Sequence, residues 1–166
     1  MNDEKKLEAL GLILPDPPKP LASYLPFVQH GNLLFLSGML PFEDGKLLLS
    51  GKIGESLNVD QGKEAAKIAL LNALSVIKSA IGSLDRIEQI VRLSLYVACS
   101  SHFTAQPAVA DGASDLLVEI FGARGRHARL ALAAPALPLD APVELEMIVA
   151  VSEMGVIKDV PPPEVV

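Results

Sequence analysis

Between Val59 and Ala98 the hydrophobic pattern changes period, and that switch restricts the possible folds more than any other feature of the chain. From Val59 to about Ile81, the residues Leu70, Ala73, Ile77, Ala80 and Ile81 recur at helical spacing, while Lys63, Glu64, Lys67 and Lys78 fall elsewhere. Asn58, followed three residues later by Gln61, resembles a capping box, and Gly82 supplies a stop. The pattern then alternates from Ile90 to Ala98, with Val91, Leu93, Leu95 and Val97 on one side and Arg92, Ser94 and Tyr96 on the other. A helix running straight into a strand with one polar face requires helices laid on one side of a sheet.

The flanking segments fit that layering. Phe27 to His30 and Leu33 to Leu36 read as hairpin strands around Gly31-Asn32, and Lys46 to Leu49, after the turn at Asp44-Gly45, as a third strand before Gly51. A second covering helix is expected from Ala108 to Phe121, with Pro107 in its first turn and Gly122 at its end. Ala128 to Ala134 and Val143 to Ser152 read as the last strands; in the second, Val143, Leu145, Met147, Val149 and Val151 form one face and Glu144 and Glu146 the other. Residues 3–11 have the composition of a short helix, and Pro15, Pro17, Pro18 and Pro20 exclude helix or central strand after it. The expected organisation is an N-terminal helix and proline-rich extension over 1–20, draped on one domain over 21–154, and a tail over 155–166 containing Pro161 to Pro163.

Composition narrows the function classes. The 166 residues carry a net charge of −6 and seven aromatic residues without Trp, which disfavours a general nucleic-acid binder built on a basic surface and stacking rings. One cysteine, Cys99, excludes an intrachain disulfide and a zinc site of several thiolates, and reads as a small buried hydrophobe. His30 and His102 have no metal-ligand spacing to another His or Cys. The N-terminus does not read as a signal peptide and no apolar run approaches a membrane span, so a cytoplasmic location is expected. No P-loop, GxSxG elbow or HExxH helix is present.

Four blocks, taken in order, resemble the signature of the RidA family, also called YjgF: Gly31-Asn-Leu-Leu-Phe-Leu-Ser37-Gly38, Asn72-Ala-Leu, His127-Ala-Arg129, and Leu137-Pro138 followed by Val143-Glu144-Leu145-Glu146. The match runs from about residue 20 to residue 152, and the Pro-rich opening with Gly112-Ala-Ser-Asp-Leu-Leu117 is similar to a longer branch, often labelled endoribonuclease L-PSP or translation initiation inhibitor. The resemblance implies an α+β, chorismate-mutase-like sandwich, a mixed sheet of about six strands with two helices on one face. It also implies a homotrimer with sites in the clefts between subunits and no metal or organic cofactor. The activity it implies is hydrolysis of small 2-imino or enamino acids to 2-keto acids and ammonia.

By the same resemblance, Arg129 holds the substrate carboxylate and Glu144 positions water or moves a proton; a guanidinium fork binds a carboxylate bidentately and stays charged. Ser37 and Gly38 line the ligand with backbone. Phe27, or Tyr24 three residues earlier, stands where the deaminating branch has a tyrosine; Ser114 stands for an asparagine and Ala131 for a cysteine. These three changes leave open a second reading, a non-catalytic trimer that binds a small carboxylate metabolite and signals to a partner. A third, a ribonuclease or translation inhibitor, would rest on Arg124, Arg126, His127 and Arg129 alone, a run that more commonly is a solvated loop complementing a helix dipole. Arg129 also has a purely structural reading, an ion pair with Glu144 or Glu146 across neighbouring strands.

Overall fold

The computed structural model describes residues 2–17 and 23–152; the expected C-terminal tail lies outside them. The elements are α1 (Asp3–Ala9), β1 (Phe27–His30), β2 (Leu33–Leu36), β3 (Phe42–Glu43), β4 (Lys46–Leu47), α2 (Val59–Ile81), β5 (Ile87–Ala98), α3 (Gln106–Phe121), β6 (Ala128–Ala134) and β7 (Val143–Val151). A mixed sheet in the order β1-β2-β7-β5-β6 carries α2 and α3 on one face. All its pairs are antiparallel except β5 with β6, which α3 connects as a crossover.

Local chemistry accounts for most boundaries. Asn58 and Gln61 form the reciprocal capping box at the start of α2, both bonds being 2.9 Å, and Gly82 ends the helix at φ 83°. Gly31 takes φ 60° at the first central position of the β1–β2 hairpin, where a side chain would be strained. The helices approach closely because Gly112 on α3 has no side chain: a Cβ there would lie 2.8 Å from the Lys63 Cα on α2.

Three expectations are corrected. Lys46–Leu47 pairs with Phe42–Glu43 as a separate two-stranded ribbon, so among the described residues the main sheet has five strands rather than about six. Asn72, buried in α2, holds the segment entering that ribbon by donating to Leu40 O and Phe42 O. Irregular pairing of β5 with β7 between Ile87 and Arg92 shifts the alternation, so Ile90 is buried and Val91 is exposed, against the regular period expected. The expected opening helix is present, but its placement is corrected: α1 is packed against α3, with Leu7 in the core and Asp3 buried. Asp3 accepts from Arg124 Nη2 at 2.7 Å and from Lys6 Nζ at 3.1 Å, and its N–H donates to Asp85 Oδ1 at 2.8 Å. The opening helix is thus bonded into the domain rather than draped on it.

Among the described residues no helix covers the second face of the sheet. Val28, Phe35 and Leu132 are exposed there beside Ile148, with Arg92, Ser94, Tyr96, Glu144 and Glu146 between them. Among the described residues no helix is long and apolar enough to cross a membrane.

Candidate functional site

The two side chains expected to do chemistry leave the sheet on opposite sides. Arg129, on edge strand β6, is in register with Leu93, whose side chain is buried under the helices, and so points toward α3. Its Nη1 donates to Asp111 Oδ1 at 2.7 Å and to Ser114 Oγ at 3.2 Å. Neither Glu144 nor Glu146 is its ion-pair partner, because both project from the other face and β5 lies between the strands. The structural reading of Arg129 is corrected in its partner: the pair is strand to helix, not strand to strand.

Ser114 links this cluster onward. Its Oγ lies 3.1 Å from His127 Nε2, while His127 Nδ1 lies 2.7 Å from Gly125 O. A carbonyl only accepts, so Nδ1 carries the hydrogen, and in neutral His127 Nε2 accepts from the Ser114 hydroxyl. The Ser114 oxygen is then left to receive Arg129. Ala131, two residues along β6 on the same side, is partly buried against the core.

On the open face, Gly38 and Glu144 form the second cluster. Met39 and Leu145 exchange backbone bonds of 2.7 and 3.0 Å, which brings Gly38 against the Glu144 side chain. A Cβ on Gly38 would lie 2.9 Å from Glu144 Cδ and nearer still to Oε1, so the carboxylate occupies space that only glycine leaves. Partial burial, and then repulsion from Glu146 two residues on, raise the Glu144 pKa above its ordinary 4.5. Ser37 Oγ donates to Leu25 O at 2.6 Å, tying this edge to the segment that carries Tyr24, which is 50% exposed. Phe27 is corrected: paired with Leu36 and 7% exposed, it belongs to the core under the helices, leaving Tyr24 as the accessible ring.

The basic run also divides differently from the solvated loop expected. Arg124 pairs with buried Asp3, donates to Ile87 O and lies 5.8 Å from the Phe121 ring centroid, so it fastens α1. A groove of about 420 Å³ opens on the helical side between α2 and α3, lined by Leu10, Leu12, Lys63, Lys67, Asp111, Gly112, Asp115, Leu116 and Glu119. It shares Asp111 with the Arg129 cluster and does not include Glu144 or Gly38. Cys99 is buried, and among the described residues no three His, Cys, Asp or Glu side chains are placed to hold a metal ion.

Asp111 is not among the residues expected in the site, and His127 is expected only as part of the basic run. For Asp111 a signal existed: it lies three residues before Ser114 on the same helix, a spacing that puts both on one face.

Comparison with known proteins agrees with this architecture. A family described as "YjgF/chorismate mutase-like, putative endoribonuclease" matches residues 4–151. The chain belongs to this family. Among its relatives, this YjgF-family chain is 40% identical over 144 residues to the protein TCP17 of Trypanosoma cruzi, covering 86% of the chain and 90% of that protein. The crystal structure of Atu1372 from Agrobacterium tumefaciens, of unknown function, matches at 38% identity with a TM-score of 0.86, covering 90% of this chain and 92% of that one. A Shewanella oneidensis protein, described as a "putative endoribonuclease", matches at 38% identity and TM-score 0.88, over 91% of this chain and 100% of the other. Escherichia coli TdcF, solved with bound serine, shares the fold at 18% identity and TM-score 0.61, covering 82% of this chain and 94% of that one.

Proposed function

We propose that this YjgF-family protein hydrolyses small 2-imino or enamino acids to 2-keto acids and ammonia, in a cleft completed by a second copy of the chain. The observation that carries the reading is the state of Arg129. One guanidinium nitrogen is engaged by Asp111 and Ser114, while Nε and Nη2 donate to nothing among the described residues. That unengaged edge is the planar fork that takes a carboxylate bidentately.

Arg129 and Glu144 face opposite sides of one sheet, so one chain cannot present both to one small molecule. Two copies can, if the edge strand β6 of one meets the open face of another. The apolar side chains exposed on that face, Val28, Phe35 and Leu132, with half-buried Ile148 beside them, support such an assembly, and the homotrimer is the form the family resemblance implies.

The chemistry then needs few groups. With the carboxylate held by Arg129, water adds to the imine carbon; its oxygen bonds to carbon, the C=N pair moves onto nitrogen, and Glu144 takes the proton released by water. The protonated imine thus becomes a neutral aminoalcohol, which collapses: Glu144 returns its proton to the nitrogen, the C–N bond breaks as the carbinol oxygen forms C=O, and Glu144 takes the carbinol proton and passes it to the departing ammonia, which leaves as ammonium. A carboxyl with a raised pKa suits both directions of that transfer, and orientation of water and imine supplies much of the rate.

The non-catalytic reading draws support from Phe27, whose burial removes the ring closest in sequence to the family tyrosine position, and from Ala131. The RNA reading draws less support from the basic run, since Arg124 is held by buried Asp3 and Asp111 offsets the charge of Arg129. The deciding experiment is 2-keto acid release from freshly generated 2-aminoacrylate, for the native chain and Arg129→Ala. Acceleration by the native chain that is lost in the variant, with the assembly state unchanged, supports the deaminase. No acceleration with saturable keto-acid binding transfers the assignment to the binding module.

A further inference from the structure

We propose that Asp111 makes the Arg129 cleft select acids carrying a cationic nitrogen beside the carboxylate, 2-iminium or 2-ammonium acids, over the corresponding 2-keto acids. The inference rests on the carboxylate-clamp reading of Arg129 and names what that clamp prefers.

Charge sets the preference. Asp111 Oδ1 is 2.7 Å from Arg129 Nη1, so the clamp is a neutral pair rather than a bare cation. A 2-keto acid brings only a negative charge to that pair; it gains from Arg129 and is opposed by Asp111. A 2-iminium or 2-ammonium acid brings both signs on adjacent carbons, and its nitrogen is a hydrogen-bond donor that the ketone oxygen of the keto acid is not.

The unengaged atoms match that pattern. Arg129 retains Nε and Nη2, while Asp111 retains Oδ2, which accepts from nothing among the described residues. The side chains are 27% and 45% exposed respectively, so both are reachable, and solvent also reaches Asp111 through the groove between the helices. Donors for a carboxylate therefore stand beside an acceptor for a charged nitrogen. Ser114 holds the same Nη1 and is itself backed by His127, so Nε and Nη2 remain unengaged among the described residues.

The consequence for turnover is directional. Asp111 favours the protonated imine, the form that water attacks, and hydrolysis carries the positive charge away on ammonium. The keto acid left behind is the species the pair holds less well, so it departs. A unit charge roughly 6 Å from a ligand charge in a half-exposed site changes affinity by about three- to tenfold.

The test is titration calorimetry of the 166-residue chain with pyruvate and with L-alanine, which differ in carrying C=O or CH–NH₃⁺ at the same carbon. The native chain, Asp111→Asn and Asp115→Asn are compared; Asp115 is an exposed carboxylate one turn along α3 that does not bond Arg129. Asp111→Asn is expected to weaken alanine and tighten pyruvate, moving their affinity ratio about tenfold, with Asp115→Asn moving it less than threefold. Equal shifts for both ligands in Asp111→Asn, or none, overturn the selectivity role while leaving the clamp standing. Absence of saturable binding of either ligand by the native chain overturns the clamp, and the selectivity with it.

Discussion

Gly38→Ala separates the proposed chemistry from the fold. Gly38 does not adopt a positive φ, so alanine is allowed by the backbone and the whole perturbation is steric. The new methyl meets the Glu144 carboxylate, and the backbone cannot yield easily because Met39 N–H and C=O are both bonded to Leu145, the residue after Glu144. The carboxylate must therefore swing. An off-rotamer side chain costs about 0.5–1.5 kcal/mol, and replacing glycine by alanine returns about 0.4–1 kcal/mol by restricting the unfolded chain. The net change in stability is within about 1 kcal/mol, or roughly 2–4 °C in Tm for a chain of this size. If Glu144 transfers the proton, the rate falls by about 10²–10⁴-fold. The assay is keto-acid release beside a thermal melt at fixed protein concentration. A variant with native Tm and native rate refutes the assignment of Glu144, and a Tm lowered by about 10 °C or more, against the expected roughly 2–4 °C, refutes a purely steric effect.

Two further outcomes follow from other parts of the molecule. Asp3→Ala removes the buried acceptor of Arg124 and Lys6; because those cations are partly exposed and can rehydrate, the loss is about 1–2 kcal/mol rather than the larger cost of stranding a buried charge, and an unchanged Tm would contradict it. For Glu144 the folded chain binds its proton more tightly than the unfolded one, so this group's contribution to stability is greatest below about pH 4.5 and declines as pH rises through the raised folded value. Glu144→Gln lacks that decline, so its Tm relative to the native chain should rise between pH 4 and pH 7, and a difference independent of pH would sink the idea.

The candidate site was readable in the sequence only in halves. Arg129, Ser114, Gly38 and Glu144 were all singled out, yet nothing in their order shows that Arg129 and Glu144 leave opposite faces of a sheet, because that depends on which strands become neighbours. Phe27 and Tyr24 could not be told apart before the burial of the first was known. Asp111 lies 18 residues from Arg129, and its role as partner required the packing of α3 beside β6.

What the sequence determines by itself is whatever a few neighbouring residues decide. Asn58 and Gln61 start α2, Gly82 stops it, Gly31 turns the first hairpin, and strict alternation sets which face of β7 is buried, all through bonds and sterics within a turn or a strand. Tertiary structure decides the rest: the sheet order, the break in alternation that turns Val91 outward, and the contact of Asp3 with Arg124, 121 residues away. Those outcomes depend on register and on contacts between distant segments, where many partners compete and burial in the assembled domain selects one.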